Sequence, residues 1–436
     1  MKIGVIGTGY VGLVTAVGLA DLGHQVIGTD MVKEKVDEAS RGIAHIYEPG
    51  LEEILQKNLN QGNLSFTYKL DQAIRESEVL FVCVNTPQRE DGSTDMCYVE
   101  GVSQQIAENL NGYKLVVEKS TVPIQTSMWI KRTITLNKKN SMDFDVASNP
   151  EFLREGSAVS DFLHPDRIII GVETERAKNT LIEIYKKFEE LLLITNIDTA
   201  ELIKHASNSF LAMKISFINL LSDLCEKTDA DVEKVAQGMG LDPRIGAQFL
   251  KAGLGYGGSC FPKDIRALTH IGEDMGLNFH LLKEVDRINS ERIQKFVEKI
   301  KKSLWILKGK KIGVLGLSFK PQTDDIRNAP SIEVIKELLK EGAQLRVYDP
   351  QAMENMKEVF PENSPHIIYT KDSYEAAEGV NALIFITEWE EFAELDLKKI
   401  RQKMVNPIIV DGRNIFEPQQ IRETGFEYYC MGRKSP

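Results

Sequence analysis

Lys2–Gly12, KIGVIGTGYVG, decides the fold. A short apolar run leads into Gly7-x-Gly9-x-x-Gly12, and an apolar stretch from Leu13 to about Leu22 follows as a buried helix would. After Gly23 a second strand, HQVIGTD, ends at Asp30, eighteen residues beyond Gly12. A glycine motif alone is a weak signal. With a strand before it, a helix after it and an acid at this distance it becomes a dinucleotide-binding fingerprint. Gly7, Gly9 and Gly12 permit a tight turn and the close approach of a pyrophosphate to the helix N-terminus, with Tyr10 and Val11 completing the turn. Asp30 is placed to accept from a ribose 2′-hydroxyl and to repel a 2′-phosphate, so NAD is expected rather than NADP. The competing reading is a glycine-rich turn in a purely structural βαβ unit.

Apolar strands then recur, each ending in polar or small residues: EVLFVCVNTP, KLVVEKSTVP, FDVASNPEF and RIIIGV. Their alternation with helical stretches predicts a doubly wound parallel sheet, whose ligands sit beyond the carboxyl ends of the strands. Thr86, Pro87, Ser120, Thr121 and Glu151 fall at such ends.

From Asp198 the pattern turns helical, with Asp198 as N-cap and Glu201 as its capping-box partner. One face carries Leu202, Ala206, Phe210, Met213 and Phe217, and another Leu211, Ile215 and Ile218. A helix apolar on two faces is expected between domains or between subunits. Lys204 and Asn208, four residues apart, point the same way. The plain alternative for them is a snorkelling lysine and a solvated asparagine.

Helices run on to about Leu304, after which KKIGVLGLSFK repeats the wording of the chain's start. RVYDP echoes IGTD, and NALIFITEW echoes EVLFVCVNTP. A second Rossmann-like domain is expected, without a second glycine fingerprint because Leu317, Ser318 and Phe319 replace the turn. The expected fold is α/β, two Rossmann-like doubly wound domains joined by a long central helix. The divisions fall at 1–197 (dinucleotide-binding), 198–304 (helical) and 305–436 (C-terminal Rossmann-like).

At 436 residues, 42% apolar and 27% charged, the composition is that of a soluble protein of two or three domains. No apolar run is long enough to span a membrane. The first residues look like a strand rather than a signal peptide, so the cytoplasm is expected. Five scattered cysteines without a CxxC pair argue against both a disulfide framework and a metal site. A net charge of -11 disfavours nucleic acid or an anionic membrane as partner. Lys320, Arg327 and Arg413, at strand ends or just past them, offer local positive charge to an anionic ligand.

Gly253–Asp264, GLGYGGSCFPKD, carries the chemistry. Gly253, Gly255, Gly257 and Gly258 let the backbone approach a ligand, so Cys260 is expected to line a site and act as a nucleophile. Lys263 offers charge that favours the thiolate, and Asp264 offers a carboxylate base. An ordinary glycine-rich turn before a helix with Pro262 at its first position is the alternative; it leaves the Cys, Lys and Asp as coincidences.

Taken together, GTGYVG, STVP, NPEFLREGSA, HPDR, the Lys204/Asn208 helix, GGSCFPKD, FKPQTDDIRNAPS and DGR resemble the UDP-glucose 6-dehydrogenase family, within the nucleotide-sugar dehydrogenases. The pair FLREGSA and FLHPDRIIIG is similar to the UDP-glucose branch rather than to enzymes of GDP-mannose or UDP-N-acetylmannosamine. The resemblance implies a four-electron oxidation in which UDP-glucose, two NAD⁺ and water give UDP-glucuronate for envelope polysaccharide. It implies a Cys260 thiohemiacetal and then a thioester. It makes Lys204 and Asn208 the stabilisers of an oxyanion at C6, Asp264 and Thr121 the residues that position water, and Glu151 the general base of hydrolysis.

For the cofactor the family pattern carries over to the Gly7–Gly12 turn, Asp30, Lys35 and Thr86, and further on to Thr121, Glu155, Lys263 and Arg327. For UDP-glucose it carries over to Glu151, Phe152, Leu153, Arg154 and Glu155, with Lys204 and Asn208. Phe249, Leu250, Lys251, Ala252 and Gly253 follow, then Tyr256 and Gly257, and finally Lys320 and Arg413. Arg244 matches the residue that reaches a neighbouring subunit's site, which implies a homodimer.

Two departures stand out. Asn85 replaces the glycine of a Gly-Thr-Pro, and Gln125 replaces the glycine of STVPxGT; altered cofactor affinity is expected rather than lost activity. Two rival readings are a sister dehydrogenase of another nucleotide sugar and a non-catalytic nucleotide-sugar or NAD-binding regulator. The second has no need of Cys260, Lys204, Asn208, Asp264, Thr121 and Glu151 together.

Overall fold

The computed structural model describes residues 1–89 and 91–434. The predicted alternation builds an eight-stranded sheet from β1 (Lys2–Ile6), β2 (Gln25–Thr29), β3 (Leu64–Thr67), β4 (Val79–Val82), β5 (Lys114–Glu118), β6 (Phe144–Ser148), β7 (Ile168–Gly171) and β8 (Leu192–Thr195). Their order across the sheet is β3-β2-β1-β4-β5-β6-β7-β8. β4 and β5 are buried at every position, as central strands covered on both faces must be, which is why they read as continuous apolar runs.

One strand departs from the expected parallel sheet. β7 pairs antiparallel with β6 through Ser148 and Gly171, and β8 follows β7 in parallel. RIIIGV therefore runs against the six strands before it. The connection from Asn149 to Arg167 carries only the six-residue helix Ala158–Leu163, half the length of the helix Tyr10–Asp21 that makes the parallel crossover from β1 to β2.

The second sheet contains β9 (Lys311–Leu315), β10 (Gln344–Tyr348), β11 (Ile367–Tyr369), β12 (Ala382–Phe385), β13 (Ile408–Asp411) and β14 (Glu427–Cys430). Its order, β11-β10-β9-β12-β13-β14, repeats that of β3 to β6, and every pair is parallel. The echo of KIGVIG in KIGVLG thus marks two first strands with the same neighbours.

By packing, the chain forms two compact units: Met1–Ser207 with His270–Leu277, and Asn208–Thr269 with Asn278 onward. In the first, apolar clusters around Val5, Leu13, Phe81 and Ile170 on one face of the sheet and Ile6, Leu80, Ile106 and Ile130 on the other form the core. In the second, Val314, Val334 and Ile384 cover one face and Leu315, Phe385 and Tyr428 the other.

The long helix spans Ile197–Cys225. Its cap is not the expected one. Asn196 Oδ1 accepts the Thr199 N–H at 2.8 Å, two residues ahead of the Asp198–Glu201 box. Glu201 is used elsewhere: its carboxylate accepts from Gln125 N at 2.6 Å and from Ser127 N and Oγ at 3.0 and 2.8 Å, capping the helix Thr126–Asn137. Further along the long helix, Asn208, Ser209, Ser216, Asn219 and Ser222 are buried, while Phe210 (58%), Phe217 (47%), Leu220 (49%) and Leu224 (60%) stand exposed. Among the described residues no helix is long and apolar enough to cross a membrane, and no cluster of metal-ligating side chains occurs.

Candidate active site

In the first unit the fingerprint forms a cradle. Gly7 sits at φ +89, where a side chain is strained, and a Cβ there would lie 2.8 Å from the Cys83 carbonyl. A Cβ on Gly12 would lie 1.7 Å from Gly7 O, so only glycine lets this helix start against its own turn. Gly9 is different: a Cβ there meets nothing closer than Asn85 Oδ1 at 3.9 Å, which leaves its backbone open to a pyrophosphate. The adjoining cavity of about 420 Å³ is lined by Gly7, Gly9, Asp30, Lys35, Asn85 and Tyr98 among others. Asp30 is oriented by its neighbours, Oδ2 accepting from Thr8 N at 2.8 Å and Oδ1 from Val32 N at 3.0 Å. The residues present fit a dinucleotide.

At the carboxyl ends of β4 and β5, Thr86 Oγ1 donates to the Thr121 carbonyl at 2.9 Å. The sheet thus joins two residues expected to share a role. Gln125, where glycine was expected, is held at φ +73 at the start of its helix. That conformation costs about 1 kcal/mol relative to glycine, and the Glu201 carboxylate bonded to its N–H compensates.

Beyond β6, Glu151 is 5% exposed and pairs with the equally buried Lys204, Nζ to Oε1 at 2.8 Å. Its other oxygen accepts from Leu153 N at 2.5 Å. The Phe152 ring has two cations over it, the Arg167 guanidinium at 4.0 Å and Lys204 Nζ at 5.4 Å from its centroid. Arg154 turns away to Asp161, and Glu155 lies near the Tyr10 hydroxyl.

Two buried ionisable groups that sequence reasoning missed lie at the end of β5. Lys119 is pushed down to about 8 by burial, and Glu118 up to about 8 for the same reason. Lys119 Nζ donates to Asn149 Oδ1 at 3.0 Å, two residues before Glu151. A Glu-Lys pair ending an otherwise apolar strand is the signal that would have flagged them.

In the second unit Cys260 stands at the head of the helix Phe261–Asp274, its carbonyl accepting the Asp264 N–H at 2.9 Å. Its Sγ lies 3.6 Å from Ser259 Oγ. Asp264, 1% exposed, accepts from Asn208 Nδ2 at 2.6 Å, and Lys263 Nζ lies 3.9 Å from its other oxygen. That Oδ1 is buried without a hydrogen-bond donor.

The four glycines before Cys260 are demanded by the protein itself. A Cβ on Gly253 would lie 2.6 Å from Gly412 O, on Gly255 2.2 Å from Asn289 Oδ1, on Gly257 2.4 Å from Asn328 O, and on Gly258 2.8 Å from the Phe319 ring. Side chains from distant segments satisfy the loop's backbone. Asn219 accepts from Gly253 N at 2.8 Å, and Arg292 donates to Gly253 O at 3.1 Å. Asn289 exchanges two bonds with Tyr256, and Arg413 donates to Gly255 O at 2.8 Å. Asn219, Asn289 and Arg292 escaped the sequence reading; the two asparagines, poor helix formers inside helices, were the available signal.

The remaining expected ligand residues are placed as follows. Phe249 is held at φ +65, a strained backbone for a bulky residue, with its ring centroid 6.2 Å from that of Phe261. Leu250 and Ala252 are buried and Lys251 is exposed. Lys320 lies against the Phe319 ring at 5.5 Å. Arg413 also donates to the Ile386 and Phe319 carbonyls at 2.7 and 3.3 Å. Arg327 pairs with Asp325, and Arg244, on the surface, with Asp242.

A glycine cradle between β1 and the first helix, with an acid ending β2, defines a dinucleotide-binding α/β protein. Its first 189 residues match the family model described as UDP-glucose/GDP-mannose dehydrogenase family, NAD binding domain. Residues 198–291 match that family's central domain and 313–418 its UDP binding domain. Among relatives, a UDP-glucose 6-dehydrogenase of Bacillus subtilis (YwqF) is 45% identical over 435 residues, covering 100% of this chain and 98% of that protein. One of Rhizobium meliloti is 44% identical, covering 99% and 100%. A solved UDP-glucose dehydrogenase from Pyrobaculum islandicum is similar with a TM-score of 0.91 at 40% identity, covering 98% of this chain and 96% of that one. A UDP-D-ManNAc dehydrogenase from Pyrococcus horikoshii gives 0.87 at 29%, covering 99% of each. The chain belongs to the UDP-glucose/GDP-mannose dehydrogenase family, and its first domain binds NAD.

Proposed function

We propose that the protein oxidises UDP-glucose at C6 to UDP-glucuronate, using two NAD⁺ and one water per sugar nucleotide. The observation that carries this reading is full-length identity of 44–45% to UDP-glucose 6-dehydrogenases, against 29% to a dehydrogenase of another UDP-sugar. The Gly7–Gly12 cradle would hold NAD, which would supply the hydride acceptor for each of the two oxidations. The protein's own groups do the rest. Lys204 and Asn208 stabilise the oxygen at C6 as its hydroxyl proton passes to the water held by Asp264 and Thr121. The Cys260 thiolate adds to the resulting aldehyde, forming the C–S bond of a thiohemiacetal, and a second two-electron oxidation makes the thioester.

Glu151 takes a proton from water, which attacks the thioester carbon and releases the carboxylate and the Cys260 thiol. The donor-less Asp264 Oδ1 supports a water-holding role for that residue with Thr121, since a buried carboxylate oxygen seeks a donor. In this reading the UDP moiety is held by the third domain, with Lys320, and by the Phe249–Gly257 segment; Arg413 reaches it by exchanging a carbonyl partner.

With UDP-glucose limiting and NAD⁺ in excess, two NADH should form per sugar nucleotide. That yield from UDP-N-acetylmannosamine or GDP-mannose instead would move the substrate within the family, and none from any of the three would leave a binding protein. The reading also places the enzyme in the cytoplasm; cell fractionation recovering it elsewhere would count against that.

The exposed apolar stripe Phe210, Phe217, Leu220 and Leu224 supports a homodimer built on the long helix, with the surface residue Arg244 leaving Asp242 to serve a neighbouring site. Light scattering should report twice the 49.1 kDa chain mass, and Phe217→Glu should return the monomer.

A further inference from the structure

Two stretches with different ligands in the proposed function, the dinucleotide turn and the Glu151–Glu155 loop, meet on one carboxylate. Glu48 precedes the helix Leu51–Asn60 in the sequence Tyr47-Glu48-Pro49-Gly50 and is 6% exposed. Its Oε1 accepts from Ala158 N at 2.8 Å. Its Oε2 accepts from Gly156 N at 2.7 Å and from the hydroxyl of Tyr10, and Gly156 N also lies 3.1 Å from that hydroxyl. Burial and then Glu48 itself hold the Tyr10 hydroxyl well above its usual range, so it stays protonated and donates.

Two backbone donors of the loop are bound locally, Leu153 N by Glu151 and Arg154 N by Asp161 at 2.8 Å. Of these three carboxylates Glu48 is the one remote in sequence. The local bonds shape the loop. Glu48 sets where the loop stands relative to Tyr10 and the glycine cradle.

We propose that Glu48 is a positioning residue: through Tyr10 and the N–H groups of Gly156 and Ala158 it holds the Glu151–Glu155 loop in register with the dinucleotide turn. The role rests on the function proposed above. Displacing a reacting centre by about 1 Å costs on the order of 10²-fold, so a two-point anchor of this kind has a kinetic effect larger than its bonds alone suggest.

Glu48→Gln keeps the shape but turns an amide donor toward one of two N–H donors. Tyr10→Phe removes one hydroxyl and leaves both backbone bonds. The measurements are kcat and KM for UDP-glucose and for NAD⁺, calorimetric binding of UDP-glucose and of NADH separately, and Tm. Glu48→Gln should lower kcat/KM for UDP-glucose by about 100-fold and weaken calorimetric UDP-glucose binding about tenfold, with NADH binding within about threefold of wild type. Tyr10→Phe should lower kcat/KM by about tenfold, and the double variant should be no worse than Glu48→Gln, since coupled residues are non-additive.

Should Glu48→Gln fail to fold, Tyr10→Phe alone decides. Wild-type kinetics in a folded variant, or a lowered Tm with unchanged UDP-glucose binding and turnover, would reduce Glu48 to a helix cap and overturn the role. Additive losses in the double variant would overturn the Tyr10 link. No NADH from UDP-glucose with wild type would overturn both the proposed function and this role.

Discussion

Cys260→Ser should end turnover while leaving the fold intact. Serine is nearly isosteric with cysteine, and Cys260 is half-buried at a helix start, so the change in Tm should be small. The chemical change is large. A hydroxyl is far less ionised than a thiol near neutral pH and makes a poor nucleophile without a dedicated base. Without the C–S bond the aldehyde is never carried to the thioester, and the second oxidation has no substrate. Steady-state turnover should fall on the order of 10⁶-fold, the scale seen when an enzyme's nucleophile is removed. NADH should stop at or below one per active site in a burst experiment with excess UDP-glucose and NAD⁺. A variant still delivering two NADH per sugar at a wild-type rate would refute the covalent role.

Lys204→Met attacks two properties at once. Lys204 and Glu151 are each 5% exposed and bonded at 2.8 Å. Removing one partner of a buried ion pair strands the other charge, at about 3–5 kcal/mol. Glu151 keeps the Leu153 N–H, which favours the lower end. For a unit of this size the thermal transition should drop by roughly 10 °C. In turnover, losing a cation that faces a developing oxyanion costs about 10²- to 10³-fold in kcat. The two effects separate in the double variant Lys204→Met/Glu151→Gln. A neutral amide is no longer a stranded charge, so much of the stability should return in a thermal melt, whereas activity should not. Recovery of both would show that the pair only holds the fold. Recovery of neither would show that the loss is one of packing.

Much of this molecule was legible in its sequence because the informative patterns are local. The Gly7–Gly12 turn, the acid at Asp30, the second first-strand at Lys311 and the start of the long helix are each set by short-range rules of periodicity and turn chemistry. The pairing of Lys204 with Asn208 on one helix face was legible for the same reason. Their partners were not. That Lys204 meets Glu151 and Asn208 meets Asp264 depends on segments more than fifty residues apart.

The misreadings have the same origin. Asp198 and Glu201 have the spacing of a capping box, yet Asn196 caps the helix and Glu201 is drawn to a different helix whose N–H groups were otherwise unsatisfied. RIIIGV reads as one more parallel strand, because an apolar run carries no record of its direction; the reversal appears only in its pairing with β6.

By itself the sequence determined the class of fold and the cofactor cradle, and it named the groups proposed to react, because each is written in residues adjacent along the chain or one helical turn apart. Only the tertiary structure decided that the four glycines before Cys260 serve close packing against Gly412, Asn289, Asn328 and Phe319, and that Asn219, Arg292 and Arg413 hold that loop. It alone decided that Glu48 joins the cofactor turn to the Glu151 loop. Those contacts satisfy buried backbone groups with side chains remote in sequence, and which side chain arrives is set by how the sheets and helices pack.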